Sequence, residues 1–176
     1  MTEFEFTLKF RLPDADADPV AWVDALAAAG CDDATLGLGQ RGRIALAFVR
    51  EARTAVDAMV SAIRDVHRAI PGAELVEAAP DLVGLSDVAA IVGCTRQNIR
   101  KLMLVNAGTF PPAVHEGASS LWHLQSVLAW FREHQKRPVD PVLLDVADVA
   151  MNVNIANAAR RVEGDAMQRK IRPLFR

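Results

Sequence analysis

Leu85-Ser-Asp-Val-Ala-Ala-Ile-Val-Gly-Cys-Thr-Arg-Gln-Asn-Ile-Arg-Lys-Leu-Met103 reads as two short helices around a tight turn. Ser86 is placed to cap the first helix, and Val88, Ala89 and Val92 give it an inward face. Gly93 allows the left-handed backbone of the turn, and Thr95 is placed to cap the second helix. On that helix Ile99, Leu102 and Met103 recur at three and four residues and pack inward. Arg96, Gln97, Arg100 and Lys101 fall elsewhere on it, toward water or a polyanion. Two helices joined this way form a helix-turn-helix.

The next residues extend the pattern. Phe110-Pro111-Pro112 favours an extended path, because each proline biases its predecessor away from helix. His115–Ser120 is a turn with Gly117 at its tip, and Ser120-Leu-Trp122 returns. Pro112–Trp122 is thus expected to form a small β-hairpin. Leu124, Val127, Leu128 and Phe131 mark a third helix, with Trp122 and Trp130 packed around it.

The run from Gly84 to Lys101, then Phe110-Pro-Pro-Ala-Val114, then Ser120-Leu-Trp-His123 and a helix ending Ala129-Trp-Phe131, resembles the winged helix-turn-helix of MerR-type regulators and phage excisionases. The resemblance spans residues 82–134. It implies a transcriptional regulator that binds double-stranded DNA, most simply as a repressor, with the helix Arg96–Met103 in the major groove. Arg96 and Arg100 suit guanine edges, and Gln97 or Asn98 suits adenine. Thr95, at the free N–H groups of the helix start, and Lys101 suit phosphates. His115 and Ser119 complete the expected DNA-binding set from the wing. The departure is in that wing, where His115–Ser120 carries no Lys or Arg. A weak wing contact would place more of the affinity on the helix or on dimerisation.

Working back to the N-terminus, Phe4, Phe6, Leu8, Phe10 and Leu12 alternate with Glu5, Thr7, Lys9 and Arg11, the pattern of a half-buried strand. Asp18-Pro19 opens a helix with Val20, Val23, Leu26 and Ala27 inward, ending at Gly30. Thr35–Leu38 and Arg43–Val49 are strands joined through Gly39–Gly42. Thr54 caps a helix buried through Met59, Ile63, Val66 and Ile70, and Glu74–Glu77 is a last strand. This β-α-β-β-α-β order is ferredoxin-like, within an α+β chain. The acidic run Asp14–Asp18 lacks the glycine and distant glutamate of a calcium loop and is expected to be a solvated turn, as is Asp32-Asp33.

Beyond Pro138 and Pro141, Leu143, Val146, Ala150, Val153 and Asn157 recur at heptad-like steps in a helix over Val142–Val162. That stripe either folds back on the N-terminal half or pairs with a second copy. Dimerisation through C-terminal helices in MerR-type regulators favours pairing, hence a homodimer. A basic tail, Gln168–Arg172 and on to Arg176, follows. The expected domains are residues 1–80 for dimerisation or sensing, 82–134 for DNA, and 141–176 as the helix and tail.

Composition agrees. The 176 residues are 51% hydrophobic and 24% charged, as in ordinary globular chains. Residues 1–80 carry 8 Lys and Arg against 13 Asp and Glu, whereas residues 81–176 carry 12 against 9, so the basic half is the one with the helix pair. No apolar run of membrane-spanning length is expected. Cys31 and Cys94 read as small buried thiols in a reducing compartment, so a cytoplasmic location is expected. No cysteine cluster suits an iron–sulfur centre, the histidines lack zinc spacing, and no nucleophile–base pair is evident, so neither cofactor nor enzymatic activity is expected. The alternative is an antitoxin or adaptor whose N-terminal sheet grips a protein partner.

Overall fold

The computed structural model describes residues 1–135, 138–162 and 166–175. Arg137 and Arg176, at the expected helix break and the tail's end, lie outside the described residues. The chain is α+β. Strands β1 (Thr2–Arg11), β2 (Ala34–Gly37), β3 (Arg43–Ala52) and β4 (Glu74–Ala79) form one sheet in the order β2-β3-β1-β4, each neighbour antiparallel. Phe4, Phe6, Leu8, Phe10 and Leu12 are all buried, as their alternation requires. They pack under α1 (Val23–Ala28) and α2 (Ala55–Ala69). Thr54 caps α2 by accepting from the Asp57 N–H, and Ala58, Met59, Ala62 and Val66 form its buried face.

The stripe expected before Gly30 is wrong in phase. Pro19–Trp22 is a 3₁₀ turn, with Asp18 accepting from the Val20 N–H, so three residues rather than 3.6 complete its circuit. Val20 and Ala27 face water, while Leu26 is buried and Trp22, Ala25 and Ala29 pack beside it. The acidic run is also more than a solvated turn. Gly42 receives the Leu12 N–H and donates to Ala17 O, Arg41 donates to Asp16 O, and a Cβ on Gly42, at φ +69°, would collide with the Ala15 backbone.

Arg50, near the end of β3, is buried at 7% exposure. Its guanidinium donates to Asp33 at 2.7 and 3.0 Å, to Asp65 at 2.7 Å, to Ser61 and to Gly30 O. Burial alone would lower its pKa, but the bonds to the two aspartates outweigh that and hold it above the ordinary value. Asp33 is therefore not a solvated loop residue; it anchors β2 to the α2 side of the sheet.

The second half begins beyond the cis Ala79–Pro80 bond, with β5 (Leu82–Val83), α3 (Leu85–Ile91), α4 (Arg96–Val105), β6 (Trp122–His123) and α5 (Leu124–His134). Their own core holds Val88, Ile99, Phe110, Trp122, Val127, Leu128 and Phe131. The helix α6 (Pro141–Val162) serves both cores. Leu144 and Ala147 belong to the second, and Val146, Val149 and Ala150 to the first. The stripe expected to favour pairing with a second copy is thus folded back. Its partly buried members Leu143, Val153 and Asn157 also face this chain. By length and apolar composition the 22-residue α6 would pass for a membrane span, contrary to the expectation that no apolar run reaches that length. Its buried residues fill the two cores instead. A short helix, α7 (Ala166–Ile171), and a 3₁₀ turn close the described chain.

Polar side chains join the halves. Asn154 on α6 accepts from the Ala78 N–H and donates to Ala78 O, both at 2.8 Å, and donates to Asp81 at 2.7 Å. Asp81 is 2% exposed and meets His123 Nδ1 at 2.6 Å through its other oxygen. Asn157 adds a bond to Leu75 O. The outer edge of β4 is therefore covered by amides from α6, which removes an open strand edge.

Candidate nucleic-acid interface

The helix pair is held by local chemistry. Asp87, in the first turn of α3, accepts from the Gly84 N–H at 2.8 Å, which starts the helix at Leu85. Ser86 is then an exposed residue inside the first turn rather than its cap, because Asp87 reaches back a full turn to the free donor. Gly93 has φ +65°, and the Cys94 N–H returns to Ala89 O, closing α3 in the manner of a left-handed cap. Thr95 Oγ1 accepts from the Asn98 N–H at 3.2 Å and caps α4 as expected.

Ile99 is fully buried, with Leu102 and Met103 half-buried beside it, so the rest of α4 faces outward. Thr95, Arg96, Gln97, Asn98, Arg100 and Lys101 are all exposed. At about 100° per residue, Gln97 and Lys101 lie nearly opposite Ile99, and Arg96 and Arg100 lie on the flank near Met103. Leu104 continues the outer line at 64% exposure, an apolar side chain that the sequence reading did not include.

The segment after α4 is fixed by aromatic packing. Phe110 meets Trp130 edge-on at 5.0 Å and Trp122 at 6.3 Å. The Trp122 indole donates to Pro111 O and the Trp130 indole to Thr109 Oγ1. The expected hairpin is only partly regular. Val114 and His115 donate to Leu121 O and Leu121 donates back to His115 O, a single bridge. The return strand then leaves its hairpin partner, since β6 pairs with β5 through Val83–Trp122 and Leu82–His123. Two consecutive prolines on the outgoing side deprive it of ladder donors.

The bridged segment 112–122 and α4 enclose an open cleft of about 740 Å³, lined by Arg96, Arg100 and Met103 on one side and Glu116, Ser119 and Leu121 on the other. The cleft brings together Arg96, Arg100 and Ser119 of the expected set. Gln97, Asn98 and Lys101 lie on other faces of α4, and the His115 ring folds over Gly117, where an added Cβ would come within 2.6 Å of Nε2. Sequence reading missed Glu116 and Asp87, which set two carboxylates into the same cleft. Glu116 was visible beside Gly117 at the wing tip, but its facing depends on the path of the hairpin. Among the described residues no group of three His, Cys, Asp or Glu side chains converges as a metal site would require.

Comparison of this chain with protein families, characterised proteins and solved structures finds no match.

Proposed function

We propose that this protein binds double-stranded DNA, with α4 as the recognition helix, and regulates transcription by occupying an operator. The observation that carries the reading is α4 itself. It is anchored by one fully buried side chain, is capped by Thr95, and presents five exposed polar or cationic residues between 96 and 101 with a wing beside it. Thr95 and the free N–H groups at the start of α4 suit a phosphate, and Gln97, Arg96 and Arg100 suit base edges. Lys101 lies on the outermost line of the helix with Gln97, so it enters the groove rather than resting on its rim. On this reading residues 82–134 are a winged helix-turn-helix and residues 1–80 are a ferredoxin-like domain, whose strand order and paired helices support the description.

The wing contributes little attraction, because Glu116 opposes the polyanion. Affinity then rests on α4 and on a second copy, which doubles the contacts and makes an operator with two half-sites the natural target. Fluorescence anisotropy with a random-sequence duplex and with a selected duplex tests the reading. Binding that prefers the selected duplex, and that is lost in the Arg96→Ala/Arg100→Ala variant, supports it. Binding indifferent to those changes refutes it.

A further inference from the structure

Among the described residues, α1, α2 and α6 cover one face of the sheet and leave the other open. The open face carries the odd-numbered residues of β1 and β3. On β1 these are Glu3, Glu5, Thr7, Lys9 and Arg11; on β3 they are Arg43, Ala45, Ala47, Val49 and Glu51. Thr7 pairs with Ala47, Glu3 with Glu51, and Arg11 with Arg43. The charges are therefore reversed in sign about the Thr7–Ala47 pair. Glu3, Glu5 and Glu51 occupy one end, and Lys9, Arg11 and Arg43 the other. Between them lie small or apolar residues: Thr7, Ala45, Ala47, the exposed Val49, and Gly37 of β2 opposite Ala45.

We propose that this face is the dimer interface, and that its occupant is the same face of a second copy with the two-fold axis over Thr7 and Ala47. Two arrangements would stack the sheets face to face. An axis along the strands places acid on acid and base on base. An axis across the strands places Glu5 over Lys9, Glu3 over Arg11 and Glu51 over Arg43, each pair formed twice, so the charge pattern selects the second. Val49 of each copy then comes over Ala45 of the other. There the face has a dent of about 400 Å³ lined by Lys9, Gly37, Arg43, Ala45 and Val76. The small residues at the centre permit sheets to approach to the roughly 10 Å spacing of packed sheets.

Two carboxylates compete at the basic end. Glu77 holds Lys9 at 2.7 Å and Glu74 pairs with Arg11, both across the surface. They leave Arg43 as the strongest partner for Glu51 of the second copy. Two ten-residue strands flanked by strands of four and six residues offer roughly 500 Å² a copy, or about 1,000 Å² in all, the lower limit for a specific pair. The interface is therefore reversible. This proposal does not rest on the DNA reading, although it would supply the second copy that reading calls for.

Sedimentation of the full chain tests it, with circular dichroism confirming that each variant is folded. The wild type is expected to dimerise with a dissociation constant on the order of micromolar. Ala47→Arg sets two like charges together on the axis and is expected to give a monomer. Arg43→Glu and Glu51→Arg should each weaken the dimer by about tenfold or more, while Arg43→Glu/Glu51→Arg, which restores the pattern, should recover to within about threefold. A wild type that stays monomeric at about 100 μM overturns the proposal. So does a dimer that survives Ala47→Arg, and one that survives it but is lost on changing the exposed Ile155 and Val162 would lie on α6 instead.

Discussion

Asn154 pairs with both backbone groups of Ala78, accepting its N–H and donating to its carbonyl, as a neighbouring strand would. With its second amide hydrogen it reaches Asp81, so one side chain ties α6 to the last strand of the sheet and to the buried carboxylate between the two cores. Removing it leaves a strand edge and a buried acid short of partners. Asn154→Ala is expected to cost about 2–4 kcal/mol, since unmatched buried polar groups carry most of the penalty. Asn154→Asp should cost more, because it places a second carboxylate against Asp81. Urea unfolding monitored by tryptophan fluorescence and by circular dichroism measures both. All three tryptophan residues can report, and Trp122 and Trp130 lie in the second core. Loss of coincidence between the two signals would mark the halves coming apart.

Arg50 makes the corresponding demand on the first core. Arg50→Ala leaves Asp33 and Asp65 facing each other without their cation and is expected to destabilise the chain by about 3–5 kcal/mol. Arg50→Lys should recover only part, because an ammonium cannot reproduce the guanidinium fork that serves Asp33, Asp65, Ser61 and Gly30 at once. Thermal unfolding of the wild type and the two variants ranks them. Equal midpoints for the wild type and Arg50→Lys would show that charge alone suffices.

Burial, with the nearby Asp65 charge adding to it, pushes the Cys31 thiol up to about 11 from its ordinary 9.0. The folded state thus keeps the proton that the unfolded chain loses. Its contribution is fully present below about pH 9 and is lost as pH rises through about 11. Stability should fall over that window, and Cys31→Ala should flatten the fall after correction for its lost packing. At neutral pH an exposure-dependent thiol reagent should modify the half-buried Cys94 first and Cys31 only on unfolding.

Much of the N-terminal fold is legible in local pattern. Alternation from Phe4 to Leu12 gives the central strand and its buried face, and Thr54 caps the helix that follows it, as Thr95 does in the second half. What stays hidden depends on distance. His123, Asp81 and Asn154 are separated by 42 and 73 residues, and nothing local to any of them announces the others. The role of α6 is hidden for a related reason: one apolar stripe fits a partner helix or two internal cores equally well. Ser86 and Asp87 are both good first-turn residues, and only the geometry at Gly84 decides between them. On α4 the sequence resolves which residues are outward; the cleft that sets Glu116 and Asp87 beside Arg96 and Arg100 is a product of the wing's path.

Glu116 gives a prediction of opposite sign to the usual alanine scan. If DNA lies along the cleft, its carboxylate repels the backbone, so Glu116→Gln should tighten duplex binding by a few-fold at low salt and Glu116→Lys by about tenfold. The lysine variant should also steepen the dependence of log affinity on log salt by about 0.9. Anisotropy titrations over a salt series read both quantities, and unchanged affinity in the lysine variant would remove the wing from the interface.

On the proposed reading, α4 recognises duplex DNA. Selection of bound duplexes from a random pool by the full chain addresses it directly, followed by the same selection with Arg96→Ala/Arg100→Ala. The expected result is an enriched motif with two inverted half-sites for the wild type and no enrichment for the variant. Absence of enrichment with the wild type, or the same motif from both proteins, would contradict it.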